Sequence, residues 1–179
     1  GSGSSKDPAN STVEEIKSIK GNAHADYGDM SVMSEAENCI KNCIDTYGKL
    51  DILINSAGII NDRLIFQMDE EDFNSIIDNN IKSVFAPSKF AAILFRQQRS
   101  GRIVNITSDA GLGEIGKSNY AAASEGIVGL TRTTATDLGK YGVTANAISP
   151  VAKTRLNPGT VSTFISSELM TNNSDDKSG

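Results

Sequence analysis

Apolar and polar positions along the chain follow two different periods. Three short apolar runs, residues 51–55 (Asp-Ile-Leu-Ile-Asn), 102–107 (Arg-Ile-Val-Asn-Ile-Thr) and 144–149 (Thr-Ala-Asn-Ala-Ile-Ser), have the length and bulk of strands. The first of them is compact enough to be read as a strand buried on both faces. Between the runs lie two long stretches with helical spacing, residues 70–98 and 119–139, with Pro87 as the expected bend in the first. Ahead of them, Ser11 followed by Glu14 reads as a capping box opening a helix that runs to about Lys20, where Gly21-Asn22 supplies the stop. A brief strand is expected at residues 24–27, then a helix from Ser31 through Tyr47 closed by Gly48. Strands that alternate with helices predict a parallel α/β sheet.

Composition narrows the function classes. At 179 residues, 38% hydrophobic and 22% charged, the chain has the make-up of one ordinary globular domain. Seventeen basic against 22 acidic residues give a net charge of -5 with no basic block, which argues against nucleic acid as a partner. No apolar stretch approaches the roughly 18 to 20 residues of a membrane span, and the start is polar rather than signal-like, so no membrane role and a cytoplasmic location are expected. Cys39 and Cys43 are helix neighbours, and the one histidine, His24, lies in another segment, so no metal site is expected. The opening Gly-Ser-Gly-Ser-Ser reads as a flexible linker or an expression scar. From Asn157 to the end the chain is polar apart from one apolar patch at 161–170, and this tail is expected to fray.

Four segments together resemble the short-chain dehydrogenase/reductase family over roughly residues 13–156. Asn55-Ser-Ala-Gly58, at the end of a predicted strand, is similar to the family's Asn-Asn-Ala-Gly motif. Asn80, in Asn79-Asn-Ile-Lys-Ser-Val-Phe85, matches its helix asparagine. Ser108 closes the second apolar run, and Tyr120 opens the helix Tyr120-Ala-Ala-Ala-Ser124. The resemblance implies that Ser108 and Tyr120 flank a reacting carbonyl, with Asn80 as the third catalytic position. It also implies cofactor contacts from Asn55, Ala57, Gly58 and Pro150, with Asp29 near an adenine and Thr154 near a nicotinamide. The finer likeness is to 3-oxoacyl-acyl-carrier-protein reductases and to the hydroxyacyl-CoA dehydrogenase part of peroxisomal multifunctional enzymes. Gly58-Ile-Ile-Asn-Asp62 suggests the former, and Pro150-Val-Ala-Lys-Thr-Arg-Leu156 the latter. The implied substrate is therefore a 3-hydroxy or 3-oxo acyl thioester, the cofactor NAD or NADP, and the location cytoplasmic or peroxisomal. Helices 81–98 and 119–139 are the implied surfaces of a homo-oligomer.

The sequence departs from the family pattern in two places. The family motif Tyr-x-x-x-Lys would put a lysine one helical turn beyond Tyr120, and this chain has Ser124. A nearby cation typically lowers the pKa of an acidic group by about 1 to 3 units, and that help is missing here. Lys117, three residues before Tyr120, is a candidate substitute. No strand followed by a glycine-rich turn is present to receive a pyrophosphate. The expected fold is thus a truncated Rossmann-like parallel sheet with flanking helices, its first two strands and last strand missing, over residues 1–156. An open edge is expected on the strand at 24–27. Three readings stay open: a fragment of a nicotinamide-dependent oxidoreductase that itself binds cofactor poorly, a catalytically inactive member serving as a binding or oligomerisation module, and an unrelated α/β binding domain.

Overall fold

A computed structural model describes residues 6–150. Thr154 and the expected tail lie outside the described residues. The element order is α1 (Asp7–Ser18), α2 (Met33–Tyr47), β1 (Ile52–Asn55), α3 (Glu70–Ile76), a π-helical stretch (Ile77–Lys82), α4 (Ser83–Gln98), β2 (Gly101–Ile106), a 3₁₀ turn (Asp109–Leu112), α5 (Ser118–Gly139) and β3 (Val143–Ile148).

The three apolar runs form one parallel sheet in the order β1-β2-β3, as expected. Its register sets Ile54 beside Val104 and Asn146, and Leu53 beside Ile103 and Ala145. Because side chains alternate between faces of a strand, these two rows point to opposite sides. The row with Leu53, Ile103 and Ala145 meets the core formed by Ile40, Leu50, Ala91, Phe95, Leu138 and Val143, contributed by α2, the loop before β1, α4, α5 and β3. Phe95 lies so close to the β2 backbone that a Cβ at Gly101 would collide with its ring, so glycine at 101 is what admits the aromatic.

The opposite row is open, which corrects the expectation that residues 51–55 are buried on both faces. Ile52 is 56% and Ile54 63% exposed, because α2, α4 and α5 form one packed layer and no described element covers the second face. Among the described residues the sheet's edges are β1 and β3, and neither is a strand at 24–27. Residues 21–29 form no strand: no described strand neighbours them, and side-chain bonds hold the segment instead, from Asn42 Nδ2 to Asp26 at 2.8 Å and from the Tyr27 hydroxyl to Asn10 at 2.5 Å.

Helix boundaries differ from expectation where side chains bond within a helix. Pro8 sits in the first turn of α1, a position that loses no hydrogen bond, so the helix opens at Asp7 and Ser11 is interior rather than a cap. Its end comes at Ser18, where Lys20 takes the left-handed conformation (φ 64°). Gly48 (φ 79°) closes α2 as expected. The stretch expected as one helix over 70–98 opens on a capping box between Asp69 and Asp72 and is interrupted at Ile77–Lys82, not at Pro87. There Asn79 Nδ2 donates to the Ser75 carbonyl at 2.8 Å and Ser83 Oγ to the Asn79 carbonyl at 2.6 Å, so side chains compete for the carbonyls of the regular ladder.

Candidate active site

The carboxyl ends of β1 and β2 and the start of α5 bring the candidate catalytic residues to one end of the sheet, where open parallel sheets hold ligands. Ser108 follows β2 directly. Its Oγ accepts from the Ala110 amide at 3.2 Å, which caps the 3₁₀ turn and holds the hydroxyl at the strand end. Tyr120 is the third residue of α5. Two bonds tie these elements together: Thr107 Oγ1 donates to the Ser124 carbonyl at 2.8 Å, and Ser124 Oγ donates to the Tyr120 carbonyl at 2.8 Å. Ser124 is buried at 3% exposure, one turn below Tyr120, so the position where the family carries a cation holds a hydroxyl satisfied by its own helix.

Asn80 is buried inside the π-helical stretch, and the wide turn directs its amide at the loop after β1. Its Oδ1 accepts from the Ile59 amide at 2.9 Å and its Nδ2 donates to the Ile59 carbonyl at 3.0 Å. A Cβ at Gly58 would meet Asn80 only at ordinary contact distance, 3.5 Å and beyond, so the chain's own packing does not demand glycine there. Asn55, at the end of β1, is buried and donates to Ser88 Oγ at 2.9 Å and Asn105 Oδ1 at 2.8 Å. Its amide hydrogens are thus engaged within the protein, whereas Ala57 is exposed. Pro150, two residues beyond β3, is exposed at the same end of the sheet.

Asp29 and Lys117 both have local partners. The Asp29 carboxylate accepts from the Ser31 amide at 2.8 Å and hydroxyl at 2.7 Å in the turn leading to α2, and these bonds lower its pKa. Lys117 is paired with Glu114 at 2.6 Å and half-buried in the loop before α5. Beside them burial raises the Asp62 pKa, opposed by the charge of Lys117 and reinforced by that of Glu114. Lys117 therefore sits within an acidic group of its own.

Several structural residues of the site escaped sequence reading. Asn105, Thr131 and Ser88 join Asn55 in a buried hydrogen-bonded chain, and Asn119 and Thr107 join α5 to its neighbours. The available signal was polar residues at predicted core positions: Asn105 lies between Val104 and Ile106 in an apolar run.

A nicotinamide dinucleotide would be met at the strand ends by Ala57, Gly58 and Pro150. Ala57 and Pro150 are exposed there and Gly58 is half-buried. Among the described residues neither α1 nor α2 is preceded by a strand and a glycine-rich turn of the kind that receives a pyrophosphate. The described residues also contain no group of three or more potential metal ligands, and no helix among them is long and apolar enough to cross a membrane.

Comparison with known proteins settles the family. The short chain dehydrogenase family model matches residues 2–172. The chain belongs to the short-chain dehydrogenase family. A crystal structure of a short chain dehydrogenase from Mycobacterium avium superposes with a TM-score of 0.78 at 41% identity, over 83% of this chain and 54% of that one. A 3-oxoacyl-[acyl-carrier-protein] reductase of Synechocystis is 41% identical over 143 residues, 79% of this chain and 58% of the relative. The peroxisomal hydratase-dehydrogenase-epimerase of Saccharomyces cerevisiae is 38% identical over 170 residues, 94% of this chain and 19% of that much longer protein. This short-chain dehydrogenase sequence thus spans little more than half the length of the bacterial reductase it matches.

Proposed function

We propose that this chain is part of an NAD(P)-dependent oxidoreductase that interconverts a hydroxyl and a carbonyl on a 3-hydroxy or 3-oxo acyl thioester. The observation that carries the reading is the linkage of the Ser108 strand end to the Tyr120 helix through Thr107 and Ser124. In this scheme the Ser108 hydroxyl donates a hydrogen bond to the substrate oxygen while the Tyr120 phenol gives or takes its proton. Asn80 holds the intervening loop, and Ala57, Gly58 and Pro150 offer backbone to the cofactor. The names of the bacterial and yeast relatives support the acyl substrate class. Self-association through α4 and α5 belongs to the same proposal, supported by Phe85 and Ile93, which stand exposed on α4.

A chimera tests the chemistry. This chain joined to the amino-terminal part of the Synechocystis reductase, with Ser124→Lys, is expected to oxidise NADPH in the presence of acetoacetyl thioester. Ser108→Ala or Tyr120→Phe in that chimera is expected to lower turnover by about 10² to 10⁴, the usual worth of positioned acid-base groups. A chimera whose turnover ignores both changes would exclude the reading. The second reading, a catalytically inactive member that serves as a binding or oligomerisation module, is favoured by the buried Ser124 at the lysine position.

A further inference from the structure

Helix α5 begins without a local cap. Its N-cap residue, Lys117, makes no side-chain capping bond. The first four amides of any helix lack intrahelical partners, and Tyr120 is the third residue of this one. Its amide is satisfied instead by the preceding residue: Asn119 Oδ1 accepts from the Tyr120 N–H at 2.7 Å. Asn119 is itself completely buried. Both hydrogens of its Nδ2 have acceptors in other elements, the Asn61 carbonyl at 3.0 Å in the loop after β1 and the Asp72 carbonyl at 3.0 Å in the first turn of α3.

That loop is the one Asn80 holds. Asn80 takes both backbone groups of Ile59, and Asn119 takes the carbonyl of Asn61 two residues later. The loop is braced further by Asn61 Nδ2 donating to Asp72 Oδ1 at 2.6 Å and by Arg63, whose amide donates to the Gly116 carbonyl at 2.8 Å and whose side chain pairs with Asp72 at 3.5 Å. A stiff three-residue spacer, Ile59-Ile60-Asn61, therefore separates the amide of Asn80 from the amide of Asn119. We infer that Asn119 is a positioning residue that clamps the start of α5 to the Asn80 loop and so sets where Tyr120 stands relative to Asn80. Its part in catalysis rests on the reductase reading above; the clamp itself is independent of it.

Fluorine NMR of the full chain labelled with fluorotyrosine tests this directly. The chain has four tyrosines, 27, 47, 120 and 141, and Tyr120→Phe assigns the relevant resonance. Asn119→Ala is expected to shift or split the Tyr120 resonance and leave the other three in place. Thr131→Val, a buried change further along α5 that spares its start, is expected to lower the melting temperature without moving Tyr120. In the unsubstituted chain the Tyr120 amide is expected to exchange with solvent at least about tenfold more slowly than in an unstructured peptide, although no helical carbonyl serves it. This last measurement stands even if Asn119→Ala does not fold. An unprotected Tyr120 amide, a Tyr120 resonance indifferent to Asn119→Ala, or one moved equally by Thr131→Val overturns the clamp. Neither measurement involves cofactor or substrate, so absence of reductase activity in the chimera leaves the clamp standing, and a failed clamp leaves the reductase reading standing.

Discussion

Asn105 shows what a buried polar side chain does in this molecule. At 1% exposure it accepts from Asn55 Nδ2 and donates to Thr131 Oγ1 at 2.8 Å, and Thr131 in turn donates to the Ile127 carbonyl at 2.6 Å. Strand β1, strand β2 and helix α5 are thereby fixed at one height. Asn105→Leu is expected to cost about 1 to 3 kcal/mol in urea unfolding, since it strands an Asn55 donor in the core. A stability loss below the error of the fit would show the chain to be unimportant. Cys39 is the second case. Burial pushes its thiol up to about 11 from 9.0, two pKa units, so its thiolate is about a hundredfold scarcer than that of an ordinary exposed thiol in mildly alkaline solution. Alkylation at about pH 8 is accordingly expected to be slow and to speed up about tenfold per pH unit until the thiol titrates. The sign for stability follows from the raised pKa: the folded state keeps its proton longer, so this contribution is complete below 9.0 and is lost as pH climbs toward 11.

Among elements, β2 and α4 are matched at one point, the contact of Phe95 with the Gly101 backbone. Gly101→Ala is expected to cost about 1 to 3 kcal/mol by overpacking, and Phe95→Leu in the same chain should return part of it, a non-additivity that a double-mutant cycle in urea would measure. Absence of coupling would place the strain elsewhere. Elements were legible in the sequence where a local pattern suffices. Apolar runs such as residues 102–107 announce a strand because the period of two and the bulk of Ile103 suffice, and Gly48 announces the end of α2 because only its left-handed conformation is needed. The π-helical stretch was not legible, because Asn79 and Ser83 are unremarkable helix residues until their side chains take carbonyls from the ladder. Nor was the irregular course of residues 21–29, since a strand depends on a neighbour that no local pattern reveals. For the site, Ser108, Tyr120 and Asn80 were found through motif spacing, whereas Asn119 was passed over as a mere helix start. Its importance lies in two carbonyls 58 and 47 residues away in sequence.

At the scale of the whole molecule, the described residues build one covered face of a parallel sheet and leave the other bare, although parallel sheets are ordinarily covered on both. Ile52 and Ile54 on that face, beside the unpaired edge of β1, are expected to make the chain self-associate. Ile52→Lys with Ile54→Lys should lower the weight-average mass in sedimentation toward that of the assembly formed through α4 and α5 alone, and an unchanged mass would show that the sheet face takes no part. The same architecture governs cofactor binding. A dinucleotide's pyrophosphate is held chiefly where a strand passes through a glycine-rich turn into a helix, and neither α1 nor α2 is preceded by such a passage among the described residues. At the other end of the site, Ser124 provides a hydroxyl already spent on the Tyr120 carbonyl, with no cation in the lysine position. The two deficits are independent, so repairing one leaves the other in force. The chain is therefore expected to bind NAD or NADP weakly or not at all and to show at most trace hydride transfer. Ser124→Lys alone should not rescue turnover, and it should lower stability by about 1 to 3 kcal/mol by placing a charge where a 3% exposed hydroxyl now sits. Micromolar binding of either cofactor by calorimetry, or measurable oxidation of a 3-hydroxyacyl thioester by the unmodified chain, would show that these residues assemble a working site by a route the geometry does not disclose.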